Sequence, residues 1–595
     1  MMPAHRRTSP TIALAIVLRL VLGGSPCTAQ APGPLSPADS LACFEVAPGH
    51  VVELVAAEPL VFDPVAICWD ADGRLFVAEM SDYPNGDGGG RVVTLTDADG
   101  DGALDTRTIF AAGLPFPNGL LAWKDGLLVT AAPDILHLAD RDGDGAAETR
   151  EVVLTGFQAG NQQLRVNGLS LGPDGWVYAA NGRSGGAITS PRRPGAAAVS
   201  IDRHDLRFRP DTGEVEAVAG FSQFGLAFDA WGNRFSNWNT APIRQVIFPL
   251  DVAVRHPLSA PPSDMEVLED PLQHNRVFPA SATPTTFNRE PTDAFNASCG
   301  LSIDQGSRLV PSGCAYVCEP LLNIVHRREL IRAGVAVEAR RPAGEETREF
   351  LASRDPWFRP VFTATGPDGA LWICDFYRRW VEHPDFVRAE LREGIEWDEG
   401  RDRGRIWRVR PRDDAPGDWG GGSAAVPSAG SSARAVARRR LDDAGDGLAT
   451  VAMTLAGDPD PAVRFEVALA AESLPARDRA GVLAKIVATE PVDRWVDRAV
   501  ICVAEDAATG IVARLAGDAM AGGRLDVVRG LAAVCGRIER GGEGSSLSDW
   551  LAAAPPADDV ALAILAGWVR GIRSGGDAPL PASFGGRPIA DWLER

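Results

Sequence analysis

Between residues 44 and 410 the apolar positions come in short runs broken by Gly, Pro and Asp-Gly pairs, the punctuation of β-strands and tight turns. One pattern recurs: a turn ending in Gly, followed by alternating apolar residues. It stands at Asp72-Gly73 (RLFVAE), Asp125-Gly126 (LLVTAA), Asp174-Gly175 (WVYAAN), Trp231-Gly232 (NRFSNW), Ser312-Gly313 (CAYVCE) and Asp368-Gly369 (ALWICD). The intervals between those glycines are 53, 49, 57, 81 and 56 residues. Four of the five approach the roughly 40–50 residues of a four-stranded propeller blade. The long interval contains the Pro-rich stretch 257–291, which reads as an insertion. Blades cover both faces of one another, which explains why a strand such as ALWIC is apolar throughout. The early run HVVELV (50–55) and the late run RIWRV (405–409) are placed to close the ring. An array of β-sandwiches gives no reason for a fixed interval. The pattern therefore predicts an all-β six-bladed propeller over residues 44–411.

Beyond it the period changes. Residues 412–433 are rich in Gly, Ser and Ala and read as a linker. Over 434–595 Ala-, Leu- and Arg-rich runs at helical spacing replace the strand pattern. DPDPAVRFEVALA (458–470) has Pro just inside a helix start, and DRWVDRAV (493–500) echoes it about 33 residues later. The prediction is an all-α domain of HEAT-like helical repeats, a scaffold suited to a protein partner.

Composition changes this picture little. Apolar residues at 45% and charged residues at 23% describe a globular protein, and a formal charge of −20 excludes a nucleic-acid binder. The N-terminus adds a destination. His5, Arg6 and Arg7 precede an apolar stretch (12–23) and the small-residue site Cys27-Thr28-Ala29, so residues 1–29 read as a signal peptide and 30–43 as a leader segment. The expectation is an exported protein, periplasmic or on the cell surface. No later run reaches the ~18 apolar residues of a membrane span, so none is expected in the mature chain. The nine cysteines follow no zinc spacing and no C-x-x-C-H occurs, which argues against zinc and covalent haem. Cys43, Cys68, Cys299, Cys314, Cys318 and Cys374 are candidates for pairing in an exported chain, or small buried apolar residues.

The most specific local signal is a pair of acidic loops. Asp97, Asp99, Asp101 and Asp105 in DADGDGALD match Asp140, Asp142, Asp144 and Glu148 in DRDGDGAAE, 43 residues on and hence in the adjacent blade. Carboxylates at alternate positions around a Gly turn can wrap Ca²⁺, which takes six to eight oxygens. A bare Asp-Gly turn is the alternative reading. Among the histidines, His326 has the richest polar surroundings, with Glu319, Asn323, Arg327 and Arg328 beside it in sequence, although a lone His beside a strand is more often structural.

The segments FDPVAICWDADGRLFVAE, RVNGLSLGPDGWVYAANG, QFGLAFDAWGNRF, YVCEPLLNIVHRR and RDPWFRPVFTATGPDGALWICDFYR carry a resemblance. Over about two thirds of its length the chain resembles the membrane-bound dehydrogenase family of planctomycetes and verrucomicrobia, whose propeller is similar to quinoprotein glucose and sorbosone dehydrogenases. The resemblance implies a quinoprotein-type dehydrogenase that oxidises a sugar or other alcohol. Pyrroloquinoline quinone and Ca²⁺ would be its cofactors, and electrons would pass to a separate cytochrome-type acceptor. Val166 stands where those enzymes keep a basic His. The candidates to replace it are His326, Asp375 and Tyr377, and Arg165, Asn167, Arg183 and Arg378 are the candidate cofactor ligands. The alternative is a non-catalytic propeller and helical scaffold that binds carbohydrate or protein partners, with Ca²⁺ in its loops.

Overall fold

Five of the six turn glycines named above fall between the first and second strands of their own antiparallel sheets, and Gly126 opens the second strand of its sheet. In this computed structural model residues 33–86, 88–99, 104–256, 264–267, 275–281, 290–304, 309, 313–413, 432–517, 524–540, 547–553, 556–574, 580, 583–584, 586–589 and 591 are described. The predicted signal peptide, most of the linker and Asp101 lie outside them.

The innermost strands are Pro64–Trp69, Gly119–Trp123, Asn167–Leu171, Leu226–Phe228, Cys299–Ile303 and Pro360–Thr365, opening blades 1 to 6 in that order. Each packs on the next and the sixth packs on the first, so the six form a closed ring around a central channel. The second strands, one layer out, are buried on both faces: every residue of Leu75–Glu79, Cys314–Glu319 and Leu371–Asp375 is buried. Blades 1, 3, 4 and 6 have four strands; blades 2 and 5 each have six, through Gly186–Thr189 and Val199–Ser200 in blade 2, and Phe44–Val46 with Ala336–Arg340 in blade 5.

Closure is made by the chain's own early strand. His50–Ala57 pairs antiparallel with Arg405–Pro411, with His50 opposite Pro411 and Ala57 opposite Arg405, and so supplies the outer strand of blade 6. A buried bidentate ion pair reinforces the seam: Arg378, in the loop after blade 6's second strand, donates to both oxygens of Asp63 at the entry to blade 1, at 2.6 and 2.9 Å.

The helical region stacks in two layers. Ala433–Asp442, Pro461–Ala470, Arg494–Val503, Leu525–Arg540 and Asp558–Arg573 pack in series, and Leu448–Leu455, Ala476–Val487 and Ala508–Gly517 pack in a second series beside them. The Asp-Pro and Asp-Arg motifs start helices: Asp460 caps the amide of Ala462, and Asp493 caps those of Trp495 and Val496.

These same two aspartates dock the helices on the propeller. Asp460 takes Arg332 of blade 5 through both carboxylate oxygens, and Asp493 accepts the Val335 amide with its second oxygen. Gly334 lies between them at φ +84°, and a Cβ there would come within 2.0 Å of the Asp493 carboxylate. Beneath, Phe248 of blade 4 meets Phe465 edge to face at 5.2 Å, and Ile247, Phe248, Val252 and Val335 belong to the same apolar core as the helices. Arg255 and His256 add a charged seam, both reaching Glu472. Among the described residues no helix is long and apolar enough to cross a membrane.

Candidate functional site

The inner strands of all six blades line one cavity of about 800 Å³, the size of a small-molecule site. Its wall mixes carbon, such as Leu121, Leu169 and Phe362, with amides and hydroxyls, such as Asn118, Ser170 and Ser302.

What fixes its mouth is a repeated clip that the turn pattern contains but does not announce. The residue six positions after the turn glycine is polar in four blades: Glu79, Asn181, Glu319 and Asp375. Each ends a buried second strand or directly follows one, and each accepts amides from nearby loops. Glu79 takes Phe62, Asn181 takes Arg183 and Gly185, Glu319 takes Asn296 and Ala297, and Asp375 takes Arg359 and Tyr377. Blade 4 performs the same task one residue earlier, through Asn237 and the Phe224 amide. The clips satisfy loop amides that would otherwise be buried without partners. The signal for them was present in the sequence: RLFVAE, WVYAAN, CAYVCE and ALWICD all end in a polar residue after an apolar run.

This frame absorbs most of the residues the sequence singled out. Asp375 is a clip, and it also accepts the Trp407 indole at 2.9 Å; burial pushes its carboxyl up to about 7. Tyr377 donates to Asp355 at 2.9 Å and lies under the Arg405 guanidinium. His326 is fully buried in blade 5, with Nδ1 2.6 Å from Glu349 and Nε2 accepting from Arg328, and burial pulls it down to about 4. None of the three is among the residues lining the cavity. Arg378 holds Asp63, and Arg165 lies over the Phe116 ring and donates to the Ala159 carbonyl. Val166 is core, packed among Leu128, Leu169 and Ile188. Asn167 does line the cavity, yet its amide is spent on the backbone: it donates to Arg165 and Gln223 carbonyls and accepts the Gly225 amide, clamping blade 3 to blade 4.

The side chains left over face the cavity. Gln162, Asn239 and Asn296 make no side-chain hydrogen bond to the described residues, and Gln223 only accepts, from the Asn239 amide. Arg183 is the one lining cation among the described residues. Two carboxylates, Glu290 and Glu382, share the same wall; burial pushes Glu382 up to about 6, and the charge of Glu290 adds to the effect. Loops meet above the channel: Gln163, ahead of blade 3, and Tyr83, of blade 1, both donate to the Val381 carbonyl of the blade 6 loop.

The acidic loops lie apart from this cavity. Asp97, Asp99 and Asp105 bring one carboxylate oxygen each within 4.8 Å of one another, and Asp140, Asp142 and Glu148 do the same. In the second loop the carboxylates also cap their own turn: Asp140 accepts the Gly143 and Gly145 amides, Asp144 accepts Ala146, and Glu148 accepts Arg141. The eight described cysteines are all free thiols.

The family described as "Domain of unknown function (DUF7133)" matches residues 36–413. No curated protein matches the chain. Among solved structures, the PQQ-bound form of aldose sugar dehydrogenase from Streptomyces coelicolor is 14% identical, with 62% of this chain and 100% of that one covered at a TM-score of 0.35. The apo-form of soluble aldose sugar dehydrogenase from Escherichia coli is 13% identical, with 61% and 100% covered at 0.35. A luciferin-regenerating enzyme is 11% identical, with 61% and 96% covered at 0.38.

Proposed function

The chain belongs to the DUF7133 family, and from that premise we propose that it binds a sugar or other polyol in the central cavity of its propeller. The observation that carries this reading is the set of side-chain amides on the wall whose N–H donors are uncommitted among the described residues, Gln162, Gln223, Asn239 and Asn296. Side-chain amides offer paired donors and acceptors, which is what a ring of hydroxyls requires, and the intervening carbon wall suits a sugar's C–H faces.

Oxidation of that ligand is the second reading. The feature in its favour is Glu382, a carboxyl whose pKa of about 6 suits it to take a hydroxyl proton near neutral pH. The quinone that the sequence resemblance implies fits less well. Pyrroloquinoline quinone carries three carboxylates, and the described wall offers it Arg183 against Glu290 and Glu382. That donor set does not fit it. We read the protein as exported, on its leader, with Ca²⁺ as the ion suited to the two acidic loops and the helical region as the surface for a protein partner.

Calorimetric titration of the purified chain with aldoses and alditols tests the first reading, and heat with one-to-one stoichiometry is expected. Titration with pyrroloquinoline quinone and Ca²⁺, followed by dye reduction with each sugar, tests the second. No dye reduction is expected, and quinone-dependent turnover would restore the dehydrogenase reading.

A further inference from the structure

Arg183 stands out within the cavity wall for three reasons that do not depend on one another. Its backbone is left-handed, with φ +83°, a strained conformation that a long L side chain rarely adopts. The conformation is imposed from outside. Asn181 accepts the Arg183 and Gly185 amides, and Gly182 before it, at φ +71°, passes so close to the Arg165 carbonyl that a Cβ would come within 2.0 Å of it. The loop thus holds a strained residue at a cavity wall. Second, the guanidinium is placed by stacking, 5.1 Å from the centre of the Trp238 ring. A stacked guanidinium keeps its edge N–H donors free.

Third, it has no acidic partner among the described residues, in a chain of net charge −20 where other arginines of the propeller are paired. Arg378 holds Asp63, Arg379 holds Glu399, and Arg207 holds Glu216 and Asp174. An exposed, unpaired, pre-oriented guanidinium on a ligand cavity is a receptor for a planar or tetrahedral oxyanion.

We infer that Arg183 reads an oxyanion carried by the sugar, the carboxylate of a uronic acid or a sulfate ester, so that the cavity prefers acidic over neutral sugars. The inference rests on the sugar-binding reading above. Glu382 does not oppose it at the same place: it is carried by the blade 6 loop, three blades around the ring from the blade that carries Arg183, and Glu290 lies close enough to Glu382 for its charge to raise that carboxyl's pKa. The ligand's anionic end belongs at Arg183, and its hydroxyls belong to the amides and to Glu382.

The test is titration calorimetry of the full chain with D-glucuronate, D-glucose 6-sulfate and D-glucose, in the wild type, Arg183→Gln and Arg183→Lys, each first shown to melt cooperatively. The expected result is a preference of about 10-fold or more for at least one anionic sugar over glucose. That preference should fall to within about two-fold of unity in Arg183→Gln and be partly kept in Arg183→Lys. Which anionic sugar wins tells carboxylate from sulfate. Equal binding of all three sugars by the wild type, or an undiminished preference in Arg183→Gln, would overturn the inference and leave the sugar-binding reading standing. Binding of none would remove that reading and the inference with it.

Discussion

Asp375 shows how one residue type at one position carries two meanings. In sequence it is an acid beside Tyr377 and Arg378, the composition of a catalytic cluster. In space it is the blade 6 copy of a clip that also falls on Glu79, Asn181 and Glu319, and its lone pairs go to amides and an indole. Nothing local distinguishes the two; only the recurrence six residues after the turn glycine in four of the six blades does. Glu319 tests the clip thermodynamically. Burial raises its carboxyl to about 7 and leaves Oε1 without a hydrogen-bond partner. The folded state therefore holds a proton that the unfolded chain, with the usual Glu pKa near 4.3, has released. Between those two values stability falls as pH rises, and below the lower one the effect vanishes. Urea denaturation at pH 5 and pH 8 should show Glu319→Gln gaining on the wild type at the higher pH by on the order of 1–3 kcal/mol. A variant that tracks the wild type at both would show that the buried carboxyl does not titrate. The Arg378–Asp63 pair makes the opposite point. Arg378→Met leaves a buried carboxylate uncompensated and should cost about 3–5 kcal/mol in the same assay. A loss under about 1 kcal/mol would mean the seam does not depend on it.

At the scale of elements, the sequence was most legible where the backbone demands particular residues. The turn glycines gave the first hairpin of every blade, and the two terminal runs gave the closing pair His50–Ala57 and Arg405–Pro411. The additional strands of blades 2 and 5 were not legible, because Gly186–Thr189 and Ala336–Arg340 are short and partly exposed and so carry no distinct pattern. The docking of the helical region was equally hidden. Its signal is Phe248 and Val335 on one side and two helix-capping aspartates on the other, residues that read as ordinary core and ordinary caps. The tight hairpin at Gly334 is the point to probe. Gly334→Ala adds a Cβ against Asp493 and a strained φ, and should destabilise the docked state by about 2 kcal/mol. Limited proteolysis should then cut within the helices from Ala433–Asp442 to Asp558–Arg573 faster in the variant than in the wild type. Equal resistance of the two proteins would show that this contact is not what holds the helices.

For the whole molecule, closing a ring of six sheets leaves a channel, and function follows from what remains uncommitted along it. The candidate site was only half legible in the sequence: Arg183 and Asn167 were named, and both do line the cavity, but Glu382, Gln223, Asn239 and Asn296 fall in unremarkable loops that only the closed ring brings together. The acidic loops are independent of that channel. Millimolar Ca²⁺ should raise the melting temperature by about 1 °C through two exposed, weak sites, with Asp97→Asn and Asp99→Asn together with Asp140→Asn and Asp142→Asn abolishing the shift. No shift in the wild type would leave them as self-capped turns. On the proposed reading the channel wall holds a sugar through its uncommitted side-chain amides. Calorimetry of Gln162→Ala plus Asn239→Ala against the wild type, with the sugar that binds the wild type best, is the decisive measurement. At least a 10-fold loss of affinity with an unchanged melting temperature is expected, and undiminished binding by the double variant would refute sugar binding through these amides.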